Sequence, residues 1–556
     1  MTRGEKSEKQ LEAGAPRVQQ ACTCGAQPRR QSDPAVVRCV AHVSEYCRST
    51  SMHGLRYVGD VQRPVAERLL WLFLFAISLA LCSNLIRRVW LKWEETPVIV
   101  TLAETTTPVW DVPFPAVTIC SETKTQRELF NYTDAYYHQA NLTQDERKKF
   151  YDLSLVCDES EEGLLDFGEN LTDRKTVEFL RKVAPDMDET IYFYAWRNQY
   201  SYDPSEIFRP QMTEDGLCFT FNMLDPEDIY SKEVASLMRR NDGNEDLKRR
   251  PSDWNAELGF KNGSGLVTHP VRSLGPGPIN GLHVVMGVYS RNIDYICKGP
   301  IQGFKVLLHS PGEVPQTSLQ FLRVPLGQDV MVAVHPHMLN TSDALRTYAP
   351  SRRQCYFPYE RRLRFFRTYT QRNCELECLS NLTLHRCSCV SLHMPRTEGT
   401  PICALGSSDC MMKSTMELVE RKVLMELHSD DADTDSGSND CDCLPSCTDL
   451  SFDAEISQAD LDTEAYFQAQ KINFAETVGY RMSSLNVYFK DNQFIPSRRS
   501  ELYGVTDFIA NCGGLLGLFM GFSVLSLVEV FYFFSIRIGF TQMLRRSTQQ
   551  RAAAAL

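Results

Sequence analysis

Two long apolar runs interrupt a chain of otherwise mixed polar and apolar residues. The first, residues 69–86, contains 18 uncharged residues, and the second, residues 508–528, contains 21. A helix needs about 20 mostly apolar residues to cross the hydrocarbon core of a bilayer. The pattern therefore predicts two transmembrane helices, at residues 69–90 and 506–536, with a long segment between them.

The segment between the two runs, residues 96–505, has the periodicity of a sheet-rich domain. Runs of β-branched and aromatic residues predict strands at residues 282–289, 303–309, 330–334 and 485–494. Residues 410–427 have a helical pattern, with Met416, Val419, Val423 and Leu427 near one face. A segment of this length exceeds the usual size of one hydrophobic core, so subdomains are expected. The predicted fold class is a membrane α+β protein.

Glycosylation sequons and cysteines indicate the side of the membrane on which this segment lies. All six Asn-x-Ser/Thr sequons fall within it, at Asn131, Asn141, Asn170, Asn262, Asn340 and Asn381. It also contains 14 of the 20 cysteines, as a disulfide-rich extracellular domain would. Because glycosylation acceptors imply a lumenal surface, we predict a two-span plasma-membrane protein with both termini in the cytoplasm. Arginines after the second run agree with this orientation.

The two cytoplasmic ends differ in composition from the rest of the chain. Residues 1–51 are mostly polar and lack an apolar period long enough to build a core, which predicts disorder. Residues 52–68 form a pre-membrane segment that contains the pair His53 and Gly54, and residues 537–556 form the tail.

The second apolar run contains residues that an ordinary membrane anchor does not need. Gly513, Gly517 and Gly521 recur at intervals of four, and Gly514 adds a further glycine. Two interpretations stay open: a smooth face that packs against neighbouring helices, or a pore helix that unwinds near Gly521 and turns its carbonyl oxygens toward water. Glu529 favours the pore, because ionisable groups within spans often mark an ion pathway.

Three sequence motifs resemble those of one known channel family. They read ANCGGLLGLFMGFS at residues 510–523, PFPAVTIC at residues 113–120 and GLCFTFN at residues 216–222. These motifs are similar to those of the epithelial sodium channel/degenerin family, which includes the acid-sensing channels. The segments TYTQRNC at residues 368–374 and LHMP at residues 392–395 look closest to the insect pickpocket branch.

The resemblance covers nearly all of residues 52–534 and implies both a fold and a function. The fold would be a hand-like extracellular domain, with a β-sheet palm and a helical thumb and finger, flanked by the two spans. The function would be a cation channel for Na+, amiloride-sensitive in type, that assembles as a trimer of this chain or of homologous subunits in the lipid bilayer. The gating stimulus is left open by the sequence.

The resemblance also assigns roles to individual residues of the pore. Gly521, Phe522 and Ser523 correspond to the selectivity filter, and Glu529 to a glutamate of the lower pore. Ala510 corresponds to the degenerin position, where a bulky side chain holds the pore open.

Further pore residues follow from the same comparison of motifs. Asn511, Gly514 and Gly517 would line the pore, and His53 with Gly54 would form a re-entrant segment beneath it that supports gating. Acid-sensing relatives have Asp where this chain has Asn511, which argues against a ring of carboxylates at that level.

The cysteines between residues 355 and 447 have spacings that also occur in zinc sites. In an oxidising compartment disulfides are favoured over metal ligands, but spacing alone does not give their connectivity. The resemblance implies a nested ladder that pairs Cys355 with Cys447, Cys374 with Cys443, Cys378 with Cys441, Cys387 with Cys410, and Cys389 with Cys403. It also pairs Cys120 with Cys218, whereas Cys157 and Cys297 are paired by elimination and Cys512 is expected to be a free thiol.

Composition and missing motifs argue against other functions. A net charge of −11 argues against a nucleic-acid partner, because phosphate binding needs clustered positive charge. The sequence has no HExxH, GxSxG or P-loop pattern, so neither an enzyme, a cofactor nor a structural metal is expected. An acidic run at residues 430–442 fails the EF-hand pattern and is expected to be a solvated loop. A P2X-type ATP-gated channel and a non-conducting two-span scavenger or adhesion receptor remain as alternatives.

Overall fold

The computed structural model describes residues 43–95, 98–157, 169–244, 247–427, 441–471, 479–540, 543–544 and 547. The chain divides into two compact units. The helical unit comprises the residues up to Glu95 together with those from Tyr503 onward, and the disulfide-rich unit comprises residues 96–502.

The helices of the described residues run as follows in chain order. They are α1 (residues 43–49), α2 (Leu55–Gly59), α3 (Val65–Glu95), α4 (Tyr132–Tyr137), α5 (Gln144–Ser154), α6 (Arg174–Val183), α7 (Met187–Thr190), α8 (Pro226–Ile229), α9 (Lys232–Asp242), α10 (Tyr295–Lys298), α11 (Pro350–Arg353), α12 (Gln371–Cys387), α13 (Ser408–Leu427), α14 (Thr463–Gln470), α15 (Val505–Met520) and α16 (Val524–Phe531).

The strands all belong to the disulfide-rich unit. They are β1 (Val98–Leu102), β2 (Thr107–Pro108), β3 (Ala116–Ser121), β4 (Leu171–Thr172), β5 (Ile191–Trp196), β6 (Gln199–Ser201), β7 (Phe208–Thr213), β8 (Gly216–Phe221), β9 (Trp254–Asn255), β10 (Gly259–Phe260), β11 (Leu282–Tyr289), β12 (Gly303–His309), β13 (Leu322–Pro325), β14 (Gln328–Thr341), β15 (Ile402–Cys403), β16 (Asp449–Asp460), β17 (Tyr480–Phe489), β18 (Gln493–Phe494) and β19 (Ser497–Glu501).

In the helical unit, α3 is long and apolar enough to cross a membrane by itself, and the first predicted span lies within it. Helices α15 and α16 meet the same criterion only as a pair, since each is too short by itself, and the axis bends by 70° between them. Helix α3 packs against α15: the rings of Trp90 and Trp93 lie 5.7 and 5.5 Å from that of Phe508. The hydroxyl of Ser78 donates to the Phe519 carbonyl at 2.7 Å.

The N-terminal part of this unit differs from the prediction that residues 1–51 are disordered. Residues 43–49 form α1, whereas residues 1–42 lie outside the described residues. Helix α1 contacts residues far along the chain, and a prediction from local polar composition does not take such contacts into account. Tyr46 packs against the rings of Phe533 and Phe534, and both Ser44 and Arg48 donate to the Gly59 carbonyl.

The disulfide-rich unit is built on two larger sheets. One has the strand order β1-β19-β14-β17-β11-β5-β6, with β16 also paired to β14, and the other has the order β13-β12-β3-β8-β7. Apolar residues from both sheets form one buried cluster, which includes Ile119, Phe221, Val284, Val332 and Val487. The strands predicted at residues 282–289 and 303–309 are β11 and β12 with the same bounds. The strand predicted at residues 330–334 lies in the first half of the longer β14.

The helices of the disulfide-rich unit contribute to two further apolar clusters. Helices α4, α5 and α6 contribute to a second apolar cluster, and α9 and α12 contribute to a third. The helix predicted at residues 410–427 is α13. Its apolar stripe is exposed, however, with Met416 at 63% and Leu427 at 72% of full exposure.

Candidate functional site

The helical structure of the second predicted span is interrupted at residues 521–523, and the residues at these positions cause the interruption. Helix α15 ends because Gly521 adopts a left-handed conformation, with φ of +66°. The amides of Gly521 and Phe522 then donate back to the carbonyls of Gly517 and Leu516 at 2.9 and 3.3 Å, a glycine-terminated helix end.

Helix α16 begins immediately after this interruption. Ser523 is its N-cap, and the Ser523 hydroxyl accepts a hydrogen bond from the Ser526 amide at 3.3 Å. The Ser526 hydroxyl in turn accepts from the Ser523 amide at 3.1 Å. The break is therefore specified locally by a glycine that stops one helix and a serine that starts the next.

The carbonyl groups at the break differ in whether they accept a hydrogen bond from a backbone amide. The carbonyl of Met520 accepts from the His53 amide at 2.9 Å. Among the described residues, no backbone amide donates to the carbonyls of Gly521 or Phe522. These two oxygens can therefore contact water or a cation, which is the chemistry of a carbonyl-lined filter.

His53 lies directly against the break. A Cβ placed on Gly521 would approach the imidazole atoms Cδ2 and Nε2 of His53 to 2.8 Å, closer than packed side chains allow. Gly54, with φ of +84°, forms the turn that follows His53 and leads into α2. The structure thus brings the predicted pre-membrane pair to the predicted filter residues.

Glu529, the ionisable residue of the second run, is also contacted by the pre-membrane segment. The amide and hydroxyl of Ser51 lie 3.4 and 3.5 Å from the Glu529 carboxylate. The Ser51 hydroxyl is 3.1 Å from that of Ser526, which is fully buried. The sequence reasoning missed Ser51 and Ser526, because the usual capping box has Glu or Gln, not Ser, three residues after the N-cap.

The opposite end of α15 is open in the single chain. Ala510 and Asn511 are exposed. A Cβ on Gly513, Gly514 or Gly517 would meet nothing within 4 Å. This glycine-bearing face is therefore available to water or to a neighbouring copy.

The disulfide-rich unit contains each cysteine pair that was predicted. The bridges are Cys120–Cys218, Cys157–Cys297, Cys355–Cys447, Cys374–Cys443, Cys378–Cys441, Cys387–Cys410 and Cys389–Cys403. Cys512 is a free thiol, as expected. These cysteines are thus disulfide-bonded rather than zinc ligands, and the part of the chain that the structure describes holds no group of three side chains placed to bind a metal.

Two buried carboxylates of this unit have pKa values shifted toward neutrality. Burial raises the pKa of Asp242 to about 7, and it raises the pKa of Glu313 to about 7. The Asp242 carboxylate accepts from the Met212 amide at 2.9 Å, and the nearby Arg181 limits the rise of its pKa.

Comparison with known proteins identifies the family. The family described as Amiloride-sensitive sodium channel matches residues 46–533. The chain belongs to this family. Pickpocket protein 28 of Drosophila melanogaster is 28% identical over 518 residues, which cover 91% of this chain and 80% of that protein. Sodium channel protein Nach of Drosophila ananassae is 24% identical, covering 89% and 86%. The Bile acid-sensitive ion channel of Mus musculus is 22% identical, covering 88% and 87%.

Membership of the sodium channel family confirms the resemblance found in the motifs. It places the chain among cation channels of the plasma membrane rather than among enzymes, and it disfavours both the ATP-gated and the receptor alternatives.

The remaining predicted sites are distributed over the surface of the disulfide-rich unit. Asn141, Asn170, Asn262 and Asn381 are exposed, whereas Asn131 and Asn340 are half-buried. Of the acidic run, Asp442 accepts hydrogen bonds from Tyr356 and Arg361, and the aspartates at 430, 431, 433, 435 and 440 lie outside the described residues.

Proposed function

We propose that the chain is one subunit of a trimeric, sodium-selective channel of the amiloride-sensitive type. The break between α15 and α16 is the observation that carries the proposal. Irregular backbone at membrane depth is tolerated only where it is buried in protein or lines a water-filled cavity. In this proposal the two helices form one broken span, and copies from three subunits surround the ion path.

Gly521, Phe522 and Ser523 form the selectivity filter in this proposal. A ring of carbonyl oxygens replaces part of the hydration shell of Na+, and the Ser523 hydroxyl adds a further oxygen at the same level. The uncommitted carbonyls of Gly521 and Phe522 support this assignment.

The residues around the filter have supporting roles. Glu529 attracts cations in the lower pore, where Ser51 orients its carboxylate. His53 and Gly54 form the re-entrant segment that holds the filter backbone through the bond from His53 to Met520.

The upper part of α15 lines the extracellular half of the pore. Ala510 acts as the gating position, and Asn511, Gly514 and Gly517 line the path above the filter. The open space beside the glycines of this helix supports the assignment.

The disulfide-rich unit lies outside the cell and both termini lie in the cytoplasm. The six sequons and seven bridges support this orientation, because both belong to an oxidising, lumenal compartment. The subunit assembles with copies of itself or with homologous subunits, and the bridged thumb is stiff enough to transmit an extracellular stimulus to the pore.

The test is expression of Ala510→Trp with Ile509→Trp as a matched control one residue away. A bulky side chain at the gating position prevents closure, so Ala510→Trp is expected to give a constitutive inward current that amiloride blocks. Replacement of external Na+ by K+ should shift the reversal potential to more negative values. Normal surface delivery of Ala510→Trp without current, alone or with a homologous subunit, would instead identify a membrane anchor.

A further inference from the structure

A line of hydrogen bonds runs from the predicted filter to the lower part of the second span. It contains three serine hydroxyls and ends at the Glu529 carboxylate. The Ser526 hydroxyl lies in the middle of the line, 3.3 Å from that of Ser523 and 3.1 Å from that of Ser51. Ser526 is fully buried, whereas Ser523 is exposed. Of these two residues, it is therefore Ser523 that can reach water or an ion.

The Glu529 carboxylate fixes the direction of these bonds. Each serine hydroxyl has one proton to donate and two lone pairs that can accept. The Ser51 hydroxyl donates to the Glu529 carboxylate at 3.5 Å, which uses its single proton, and the Ser51 amide donates to the same carboxylate at 3.4 Å. In the 3.1 Å contact between Ser51 and Ser526, the donor is therefore the Ser526 hydroxyl.

The same count of protons fixes the bond between Ser526 and the filter. Because the Ser526 proton is directed to Ser51, the Ser523 hydroxyl is the donor in its 3.3 Å contact with Ser526. The Ser526 oxygen also accepts from the Ser523 amide at 3.1 Å, so both of its lone pairs are used. The Ser523 oxygen accepts from the Ser526 amide at 3.3 Å. This leaves one lone pair, and no hydrogen, on the exposed side of the Ser523 hydroxyl.

Such an arrangement suits the coordination of a cation. A cation binds to oxygen lone pairs and is repelled by a hydroxyl hydrogen. Na+ and K+ differ in radius, so an oxygen held in one position distinguishes them better than an oxygen on a hydroxyl that rotates.

We propose that Ser526 is a positioning residue that turns the Ser523 proton away from the ion path, and that it thereby contributes to the choice of Na+ over K+. The inference rests on the function proposed above, because that function assigns Ser523 to the filter. It adds a buried residue that acts on the ion only through Ser523.

The test uses the Ala510→Trp background, in which the pore is expected to stay open without a stimulus. Ser526→Ala removes the hydroxyl that orients Ser523, and the ratio of Na+ to K+ permeability should fall by about two- to tenfold, the factor that corresponds to one hydrogen bond. The measurement is the shift of the reversal potential when external Na+ is replaced by K+, together with labelling of the protein at the cell surface.

Two further variants in the same background separate the orientation of the filter from a general loss of structure. Ser526→Thr keeps a hydroxyl at this position and should restore a permeability ratio close to that of the background. Ser535→Ala removes an exposed serine further along the same span and should leave the ratio unchanged. A purely structural role of Ser526 would lower the surface delivery or the current of Ser526→Ala without changing the permeability ratio.

The possible results distinguish this inference from the proposed function. A Na+-selective current in Ala510→Trp with the same permeability ratio in Ser526→Ala would reject the role of Ser526 alone. A current in Ala510→Trp that does not distinguish Na+ from K+, or no current, would reject the proposed function and this inference with it.

If Ser526→Ala does not reach the cell surface, Ser51→Ala decides the matter. Without the Ser51 hydroxyl, the Ser526 proton turns to the Ser523 oxygen and occupies its remaining lone pair. The permeability ratio should then fall in the same direction as expected for Ser526→Ala. An unchanged ratio in Ser51→Ala would overturn the inference.

Discussion

The helical unit and the disulfide-rich unit hold their structures by different means. The disulfide-rich unit has a buried core shared by two sheets, and it has seven bridges that join cysteines 14 to 140 positions apart. In the helical unit, only 6% of the most apolar window of α3 is buried, and the break at Gly521 depends on a few polar contacts. The comparison indicates that a single residue can determine the geometry of the break between α15 and α16, whereas the geometry of the disulfide-rich unit is determined by many contacts together.

The strongest test of this difference is Gly521→Ala. Alanine is strained at φ of +66°, and its Cβ would collide with the His53 ring. We expect the sodium current to fall by about tenfold or more, since a left-handed alanine costs roughly 1–2 kcal/mol before any displacement of His53. The measurement is whole-cell current divided by the amount of protein labelled at the cell surface.

Gly539→Ala is the matched control for this substitution, because a Cβ at Gly539 meets nothing within 4 Å. Surface delivery of both variants should equal that of the wild type, since neither change touches the disulfide-rich unit. A normal current in Gly521→Ala would show that the pore geometry does not depend on this residue.

In the disulfide-rich unit, a large effect is expected from loss of the bridge Cys120–Cys218. Its two cysteines are 98 residues apart, and replacing both by alanine should lower the free energy of unfolding by roughly 4–5 kcal/mol. Replacement of Cys355 and Cys447 should cost less, about 3 kcal/mol, because the neighbouring bridge Cys374–Cys443 already shortens the loop that they close. Denaturant unfolding of the purified variants compares the two, and a reversed order would contradict the nested ladder.

Asp242 provides a smaller test that depends on pH. Because burial raises the pKa of Asp242 to about 7, the folded state keeps a proton that the unfolded state loses above its own, lower pKa. The contribution of this group to stability is therefore fully present at low pH and is lost as the pH rises through 7. Between pH 5 and pH 7 the free energy of unfolding of the wild type should fall by on the order of 2 kcal/mol more than that of Asp242→Asn.

The control for this pH experiment is Asp145→Asn, which changes an exposed carboxylate paired with Lys149. Its unfolding free energy should follow that of the wild type over the same pH range. If the unfolding free energy of Asp242→Asn changes with pH as that of the wild type does, the pKa of Asp242 is not raised.

Local signals explain which features could be predicted from the sequence. Gly521 and Ser523 stop and start helices by themselves, so the break between α15 and α16 was predictable. The nested bridges were predictable from the family motifs, whereas Cys157–Cys297 followed because no other cysteines in that segment were left. The exposure of the α13 stripe was not predictable, because periodicity identifies an apolar face without showing what covers it.

Features that depend on distant residues were missed for a physical reason. The contact between Ser51 and Glu529 joins residues 478 positions apart, and no local pattern encodes it. The ion pairs of Asp215 with Lys298 and Lys305 likewise join the turn between β7 and β8 to α10 and β12. A single lysine in a sequence looks like a surface residue until the fold is known.

The smallest expected effect tests whether the disulfide bridges reduce the contribution of an N-cap residue to the stability of its helix. Thr370 is the N-cap of α12, and its hydroxyl accepts from the Asn373 amide at 3.1 Å. Thr370→Ala removes this bond, and loss of such a cap costs about 1 kcal/mol in helices without crosslinks. Cys374 and Cys378 bridge the first two turns of α12 to Cys443 and Cys441.

We therefore expect a loss of only about 0.5 kcal/mol for Thr370→Ala, the lower end of the range for caps. The control is Thr415→Ala in α13, where the hydroxyl only donates to the Met411 carbonyl of its own helix. Denaturant unfolding should show a larger loss for Thr370→Ala once Cys378 and Cys441 are replaced by alanine. An unchanged loss would mean that the bridges do not hold the start of α12, and that its capping residue does so alone.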